Sequence, residues 1–328
     1  MCQKLIKNGV PGLHFYTLNL ENSVSAILKS LGLVSSQGII KELPWRQSTS
    51  DDRKISEDVR PIYWSNRPVS YLTRTEIWDD FPNGRWGNIE SPTFGELNQY
   101  HAIRAGSRSD KIKAKRKKMW GEPKSIKDIT DVFVSFCKGK INSLPWCEIP
   151  LAQESKQISD DLLNLNEMEY FTINSQPKIN GLPSEDAEAG WGGPGGRIYQ
   201  KAYLEFFTSK DKLDRLLKSI GSKENISYEA ININGDLITN LPENNVMAVT
   251  WGVFPNKEII QPTIVDMRSF LIWKDEAFSL WMDDWASIYE AKSESYKLIK
   301  EIYDTYYLVN IVDNDYVDGD LMQQILKS

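Results

Sequence analysis

Residues 48–57, STSDDRKISE, are polar with no apolar face, and they divide the chain into two unequal parts, each with its own apolar surface to bury. Ahead of this stretch the sequence holds one strand-and-helix unit. Pro11-Gly12 ends a short helix, residues 13–18 (LHFYTL) read as a buried strand, and Asn22 caps a helix whose Val24, Ile27, Leu28 and Leu31 form one stripe. One such unit cannot cover its own surfaces, because a parallel strand needs neighbours on both sides and helices over its faces. The segment is therefore expected to be the last piece of a larger α/β body lying before Met1.

After Pro61 helices and strands alternate irregularly, which predicts an α+β domain. Ser91-Pro92 opens a helix striped by Phe94, Leu97 and Tyr100 or His101. Ser125, with Asp128 three residues on, opens another, striped by Ile129, Val132, Phe133 and Phe136. Leu213, Leu216, Leu217 and Ile220 mark a third, stopped by Gly221. Residues 226–233 and 236–239 flank Asn234-Gly235, the signature of a hairpin with a type I′ turn, and residues 246–251 read as a buried strand. From Ser269 onward Trp273, Ala277, Leu280, Trp281 and Trp285 recur at helical spacing, a core stripe.

A chain of 328 residues fits about two domains at roughly 150 residues each. Its mean hydropathy of -0.44, with no run of about 18 apolar residues and no apolar signal segment, points to a cytoplasmic protein without membrane spans. The three cysteines, Cys2, Cys137 and Cys147, are scattered, and the only histidines are His14 and His101, so neither a zinc site nor a disulfide framework is expected. The net charge of -6 argues against a nucleic-acid partner. The basic run 111–118, KIKAKRKK, lacks interleaved aromatics to stack bases and reads as a solvated helix face.

The segment 190–196, GWGGPGG, invites a phosphate-loop reading, but the residues that follow it, 197–207, alternate as a strand and do not start a helix. It is expected to be a structural turn. No G-x-S-x-G, no nucleophile with a histidine partner and no dinucleotide fingerprint occurs, so the residues favour a binding module over a self-sufficient enzyme. Thr172, Ser175, Thr250 and Thr263 place hydroxyls at strand ends, where they serve either a ligand or the backbone. Pro44-Trp45 is an aromatic landmark in the linker, suited to packing on a neighbouring domain or on a ligand.

Along nearly its whole length the chain resembles the C-terminal half of eukaryotic methylenetetrahydrofolate reductases. The resemblance is carried by 12–19 GLHFYTLN, 60–64 RPIYW, 78–88 WDDFPNGRWGN, 172–177 TINSQP, 200–208 QKAYLEFFT, 258–263 EIIQPT, 274–278 KDEAF and 308–315 LVNIVDND. It implies residues 1–33 as the remnant of a flavin-dependent TIM barrel, 34–60 as a linker, and 61–328 as a mixed-sheet α+β regulatory domain with surrounding helices.

By the same resemblance, S-adenosylmethionine or S-adenosylhomocysteine is the allosteric ligand. It would be held by Ala152, Gln153, Glu154 and Ser155, by Thr172, Ile173, Asn174, Ser175 and Gln176, and by Thr250 and Thr263, with Pro44 and Trp45 closing over it. Tyr16 matches a folate-binding position, whereas Leu20 stands where some members carry an arginine. Ser155 replaces a threonine of some members and Cys147 an asparagine. FAD and NAD(P)H belong to the full-length family enzyme, and no catalytic residue is assigned to this chain. A homodimer through the regulatory domain is expected, with a catalytic barrel supplied by a full-length chain as a further partner. Two alternatives stay open: part of an active reductase making 5-methyltetrahydrofolate, and a dimerisation scaffold without ligand.

Overall fold

The computed structural model describes residues 1–15, 27–28, 31–33, 60–64, 110–147, 150–220, 223–242, 245–256 and 259–326. Its strands are β1 (Arg60–Pro61), β2 (Phe171–Gln176), β3 (Ile179–Pro183), β4 (Arg197–Gln200), β5 (Tyr203–Thr208), β6 (Ile226–Asn232), β7 (Leu237–Thr239), β8 (Val246–Val253), β9 (Ile260–Asp266) and β10 (Tyr307–Asp313). They build two five-stranded sheets, ordered β1-β9-β8-β4-β3 and β2-β5-β10-β6-β7. β1 runs parallel to β9, and the other pairings are antiparallel. With the helices described below, the domain is mixed α+β.

A single bent hairpin joins the two sheets. Gln176 pairs with Tyr203 in one sheet and Ile179 with Gln200 in the other, so the register carries straight through the corner. The arms turn at Pro177-Lys178 and at Lys201-Ala202. Proline supplies no N–H to the ladder, which suits Pro177 to the place where pairing is interrupted. The alternating stretch 197–207 is thus two strands in different sheets rather than one. All six residues of β5 are buried, so the alternation expected there does not separate an inner from an outer face. β5 is central in its sheet, and both of its sides are covered.

The helices follow their sequence signals. α1 (Cys2–Lys7) ends before Gly9, whose φ is +77°. α2 (Asp110–Trp120) carries the basic run, mostly exposed, but Arg116 bonds Asp284 at 3.2 Å and lies over the Trp120 ring. α3 (Ile126–Cys137) has Ser125 and Asp128 as a reciprocal capping box and buries its Ile129, Val132, Phe133 and Phe136 stripe. α4 (Ser159–Glu167) and α5 (Lys210–Ile220) cover the β2-β5-β10-β6-β7 sheet together with α8 (Leu321–Leu326). α6 (Met267–Leu280) runs into a π turn, Trp281–Trp285, and α7 (Glu294–Thr305) packs behind it.

The π turn stacks Trp281 on Trp285 at 5.2 Å, and Trp146, Phe133 and Phe207 surround the pair. Trp281, Trp285, Phe133 and Phe207 are fully buried, so truncating any one is expected to cost about 3–5 kcal/mol.

Two local expectations need correction. The hairpin turn is not type I′: Gly235 N–H bonds Asn232 C=O, and Gly235 has φ +93° whereas Asn234 has no positive φ. This is a three-residue loop in which glycine takes the left-handed position after an ordinary turn. Residues 13–15 form no strand, with His14 exposed, because no described strand lies beside them to complete a ladder. Ile27 and Leu28 are helical, as their stripe predicts, although Ile27 is exposed. Residues 16–18, the linker 34–59 and the helix expected after Ser91 lie outside the described residues.

Segment 190–196 is a turn leading into β4. A Cβ on Gly196 would sit 2.2 Å from the Phe254 ring, so close packing, not anion binding, explains this glycine.

Candidate functional site

The corner of the bent hairpin gathers the polar residues singled out by the sequence. Gln176 ends β2, and its Nε2 donates to the carbonyls of Lys201 (2.8 Å) and Val249 (3.1 Å), tying both sheets together. Its Oε1 accepts the Thr250 hydroxyl at 3.2 Å. Gln200, across the corner, donates from Nε2 to the Pro177 carbonyl at 2.8 Å and bonds the Glu154 carboxyl. Gln200 is 4% exposed and Gln176 5%, so these amides lie inside the protein.

Glu154 and Ser155 open the 3₁₀ turn Glu154–Ile158 ahead of α4. Ser155 Oγ donates to the Ser175 carbonyl at 3.3 Å, which pins this turn to β2. Burial pushes the Glu154 carboxyl above its ordinary pKa, and the Gln200 hydrogen bond partly opposes that rise. A half-buried carboxylate is an acceptor for a cationic or polyhydroxyl ligand.

Thr263, on β9, lies opposite Thr250 of β8 and opposite Arg60 of β1. Its Oγ1 is buried and has no hydrogen-bond partner among the described residues. Such a group costs stability unless something pairs with it.

Other predicted residues take different places. Thr172 faces Asn166, whose Nδ2 donates to Thr172 Oγ1 at 2.7 Å and whose Oδ1 accepts the Thr172 N–H at 3.0 Å. Asn174 donates to the Ile62 carbonyl at 3.2 Å. Ile173, at the break in register between Thr172 and Asn174, packs against the main core. Ala152 and Gln153 are exposed. Tyr16, Pro44 and Trp45 lie outside the described residues.

The structure adds Gln200 to the residues at the corner and Asn166 as the partner of Thr172 near the other end of β2. Neither carries a spacing signal, since their roles come from the tertiary fold. A cavity of about 580 Å³ opens beside the corner, lined among others by Lys201, Ser227, Met247, Trp251, Gln261 and Asn314. Lys201 Nζ donates to Asn314 Oδ1 at 2.8 Å on the wall of this cavity.

Chemically the corner offers one carboxylate, carboxamides, hydroxyls and one unpaired buried oxygen. The described side chains of the corner are hydrogen-bond donors and acceptors that suit recognition of a polar ligand. Among the described residues no cluster of three His, Cys, Asp or Glu could hold a metal ion, and no helix is long and apolar enough to cross a membrane.

Comparison with known proteins places the chain in a family context. The family profile described as "MTHFR, SAM-binding regulatory domain" matches residues 40–328, and that described as "Methylenetetrahydrofolate reductase" matches residues 1–32. A probable methylenetetrahydrofolate reductase (NADH) of Oryza sativa subsp. japonica is 47% identical over 98% of this chain and 54% of its own length. Methylenetetrahydrofolate reductase (NADH) 1 of Zea mays is 48% identical with the same coverage. A probable methylenetetrahydrofolate reductase (NADPH) of Caenorhabditis elegans is 42% identical over 100% of this chain and 51% of its own. The chain therefore spans about half the length of the curated relatives it matches. With a regulatory-domain match over most of its residues and relatives this similar, the chain belongs to the methylenetetrahydrofolate reductase family.

Proposed function

We propose that this chain is the S-adenosylmethionine-responsive regulatory portion of a cytoplasmic methylenetetrahydrofolate reductase, and that the hairpin corner is its effector site. The observation that carries this reading is the buried Thr263 hydroxyl, unpaired among the described residues and directly across from the Thr250–Gln176–Gln200 network. Glu154 would accept the ligand's ammonium or ribose hydroxyls, and the Thr263 and Thr250 hydroxyls would meet its polar edge. Pro44 and Trp45 of the linker would close over the ligand, and Tyr16 would be a remnant of the folate site.

In this reading residues 1–33 are the last unit of the catalytic barrel, 34–60 the linker and 61–328 the regulatory domain, which also forms a homodimer. FAD, NAD(P)H and the reduction of methylenetetrahydrofolate belong to the barrel of the full-length enzyme. Effector bound at the corner would favour one arrangement of the linker over another, and that difference in affinity would shift the barrel's activity.

One observation favours a second reading, a scaffold without ligand: the oxygens of Ser155, Thr172 and Thr250 each have a partner inside the protein. Isothermal titration of the 328-residue chain with S-adenosylmethionine separates the two. Saturable binding that Glu154→Ala abolishes supports the effector site. A folded chain that gives no heat and no thermal stabilisation overturns it in favour of the scaffold.

A further inference from the structure

Behind the corner, three neighbouring strands carry a row of buried polar side chains in register. Asn310 on β10 pairs with Glu205 on one side and Glu229 on the other, and all three are essentially inaccessible to solvent. The two glutamates are not equivalent. Glu205 Oε2 accepts the Tyr203 hydroxyl at 2.6 Å and its Oε1 accepts the Trp273 indole at 2.5 Å, so both oxygens have donors. Glu229 Oε2 accepts Asn310 Nδ2 at 2.9 Å, while Glu229 Oε1 and Asn310 Oδ1 are both buried without a partner among the described residues.

Two acceptors left over on a carboxyl and a carboxamide that already share one hydrogen bond define a single missing proton. If Glu229 carries it, Oε1–H donates to Asn310 Oδ1, and the two groups close a ring of two hydrogen bonds. If Glu229 is ionised, two buried acceptors stay orphaned and a charge sits in the core, a far costlier arrangement.

Among the described residues, the groups facing this pair offer no cation. Asp266, at the end of β9, caps α6 through the Ser269 N–H and hydroxyl; Tyr63 meets the Asp266 backbone through its own hydroxyl; Glu205 and Tyr203 complete the set. On α6 itself Arg268 is exposed and Lys274 pairs with Asp275. Burial, first of all, holds the Tyr63 hydroxyl well above its ordinary pKa, and any charge on the nearby Glu229 or Asp266 carboxyl raises it further.

We propose that Glu229 is held as a neutral carboxylic acid in a ring with the Asn310 carboxamide, and that this ring is a proton-sensitive joint beneath the 60–64 segment. That segment lies along β9 through Arg60 opposite Thr263, and Tyr63 is its buried anchor. Ionisation of Glu229 adds a negative charge behind the anchor and loosens it. Burial, and to a lesser degree Asp266, push the Glu229 carboxyl up to about 7, while the Asn310 bond opposes the rise, so the change falls near neutral pH.

The sign follows from linkage: a folded-state pKa of about 7 against 4.5 means the folded chain binds the extra proton, and stability falls as pH rises between those values. Glu229→Gln preserves the ring, since its amide can both accept from Nδ2 and donate to Oδ1 of Asn310. Urea unfolding of the 328-residue chain at about pH 5.5 and about pH 7.5 is the test. The wild-type folding constant should fall about 20-fold more than that of Glu229→Gln over this interval, and intrinsic-rate-corrected amide protection at 62–64 should fall only in the wild type. Equal pH slopes in the two chains overturn the proposal. Should Glu229→Gln not fold, carbon-13 NMR of the glutamate-labelled wild-type chain decides, with Glu205→Gln and Glu154→Gln assigning the resonances of the other two buried or half-buried glutamates near the site. A further carboxyl titrating near 7 supports the ring, and its absence refutes it.

Discussion

Replacing Thr263 by valine should move stability and effector binding in opposite directions, a combination that a purely structural hydroxyl would not produce. Thr263 Oγ1 is buried without a partner among the described residues, and an unsatisfied buried polar group costs about 1–3 kcal/mol. Valine keeps the branched shape that suits the centre of β9 and removes the orphaned oxygen. The ligand-free chain is therefore expected to gain about 1 kcal/mol, which for a domain of this size raises Tm by about 2–4 °C. In the bound state the hydroxyl is read as meeting the ligand, and losing one such bond removes about 0.5–1.5 kcal/mol, or about 2–13-fold in Kd. Thermal melts of the free chain and calorimetric titration with S-adenosylmethionine measure the two effects separately. A Thr263→Val chain that is destabilised by about 1 kcal/mol or more would show that the hydroxyl has a partner within the protein. One that binds with unchanged Kd would remove Thr263 from the effector site.

Glu154 must be ionised to accept a cationic group, and burial raises its pKa, so effector affinity should weaken on acidification at a higher pH than for an exposed glutamate. Glu154→Gln should flatten that profile when Kd is followed by titration calorimetry across the acidic range. Ser125→Ala breaks the reciprocal cap of α3 and is expected to cost about 1 kcal/mol in urea unfolding, with effector affinity unchanged. Gly192→Ala places a methyl 2.3 Å from the Phe254 ring on a residue with φ +83°, and a loss of about 1–3 kcal/mol is expected by the same assay. A stable Gly192→Ala chain that gains a phosphate-dependent Tm shift would restore the anion-loop reading of this turn.

Local signals were legible wherever short-range physics decides. The Ser125–Asp128 pair announces α3 because a capping box needs only neighbouring residues, and the tryptophan stripe from Trp273 to Trp285 announces a buried helical face by its spacing alone. The long segments matching the reductase family fixed the membership of the chain and drew Glu154, Thr250 and Thr263 into one expected site. Spacing failed where two elements compete for one pattern. Asn234-Gly235 suits a two-residue turn, yet the pairing of Ile231 with Leu237 lengthens the loop and moves the left-handed position to Gly235 alone.

Tertiary structure alone decided the bend at Pro177 and Lys201. That bend splits one apparent strand between two sheets and makes Gln200 a neighbour of Glu154 and Thr250. It also decided which polar residues are left without partners. Thr172 and Thr263 look alike in the sequence as hydroxyls in apolar strands, but Asn166 satisfies the first while the second faces no described donor or acceptor. Hydrogen-bond satisfaction depends on which side chains distant in the chain come within about 3 Å, and periodicity along one strand carries no information about that.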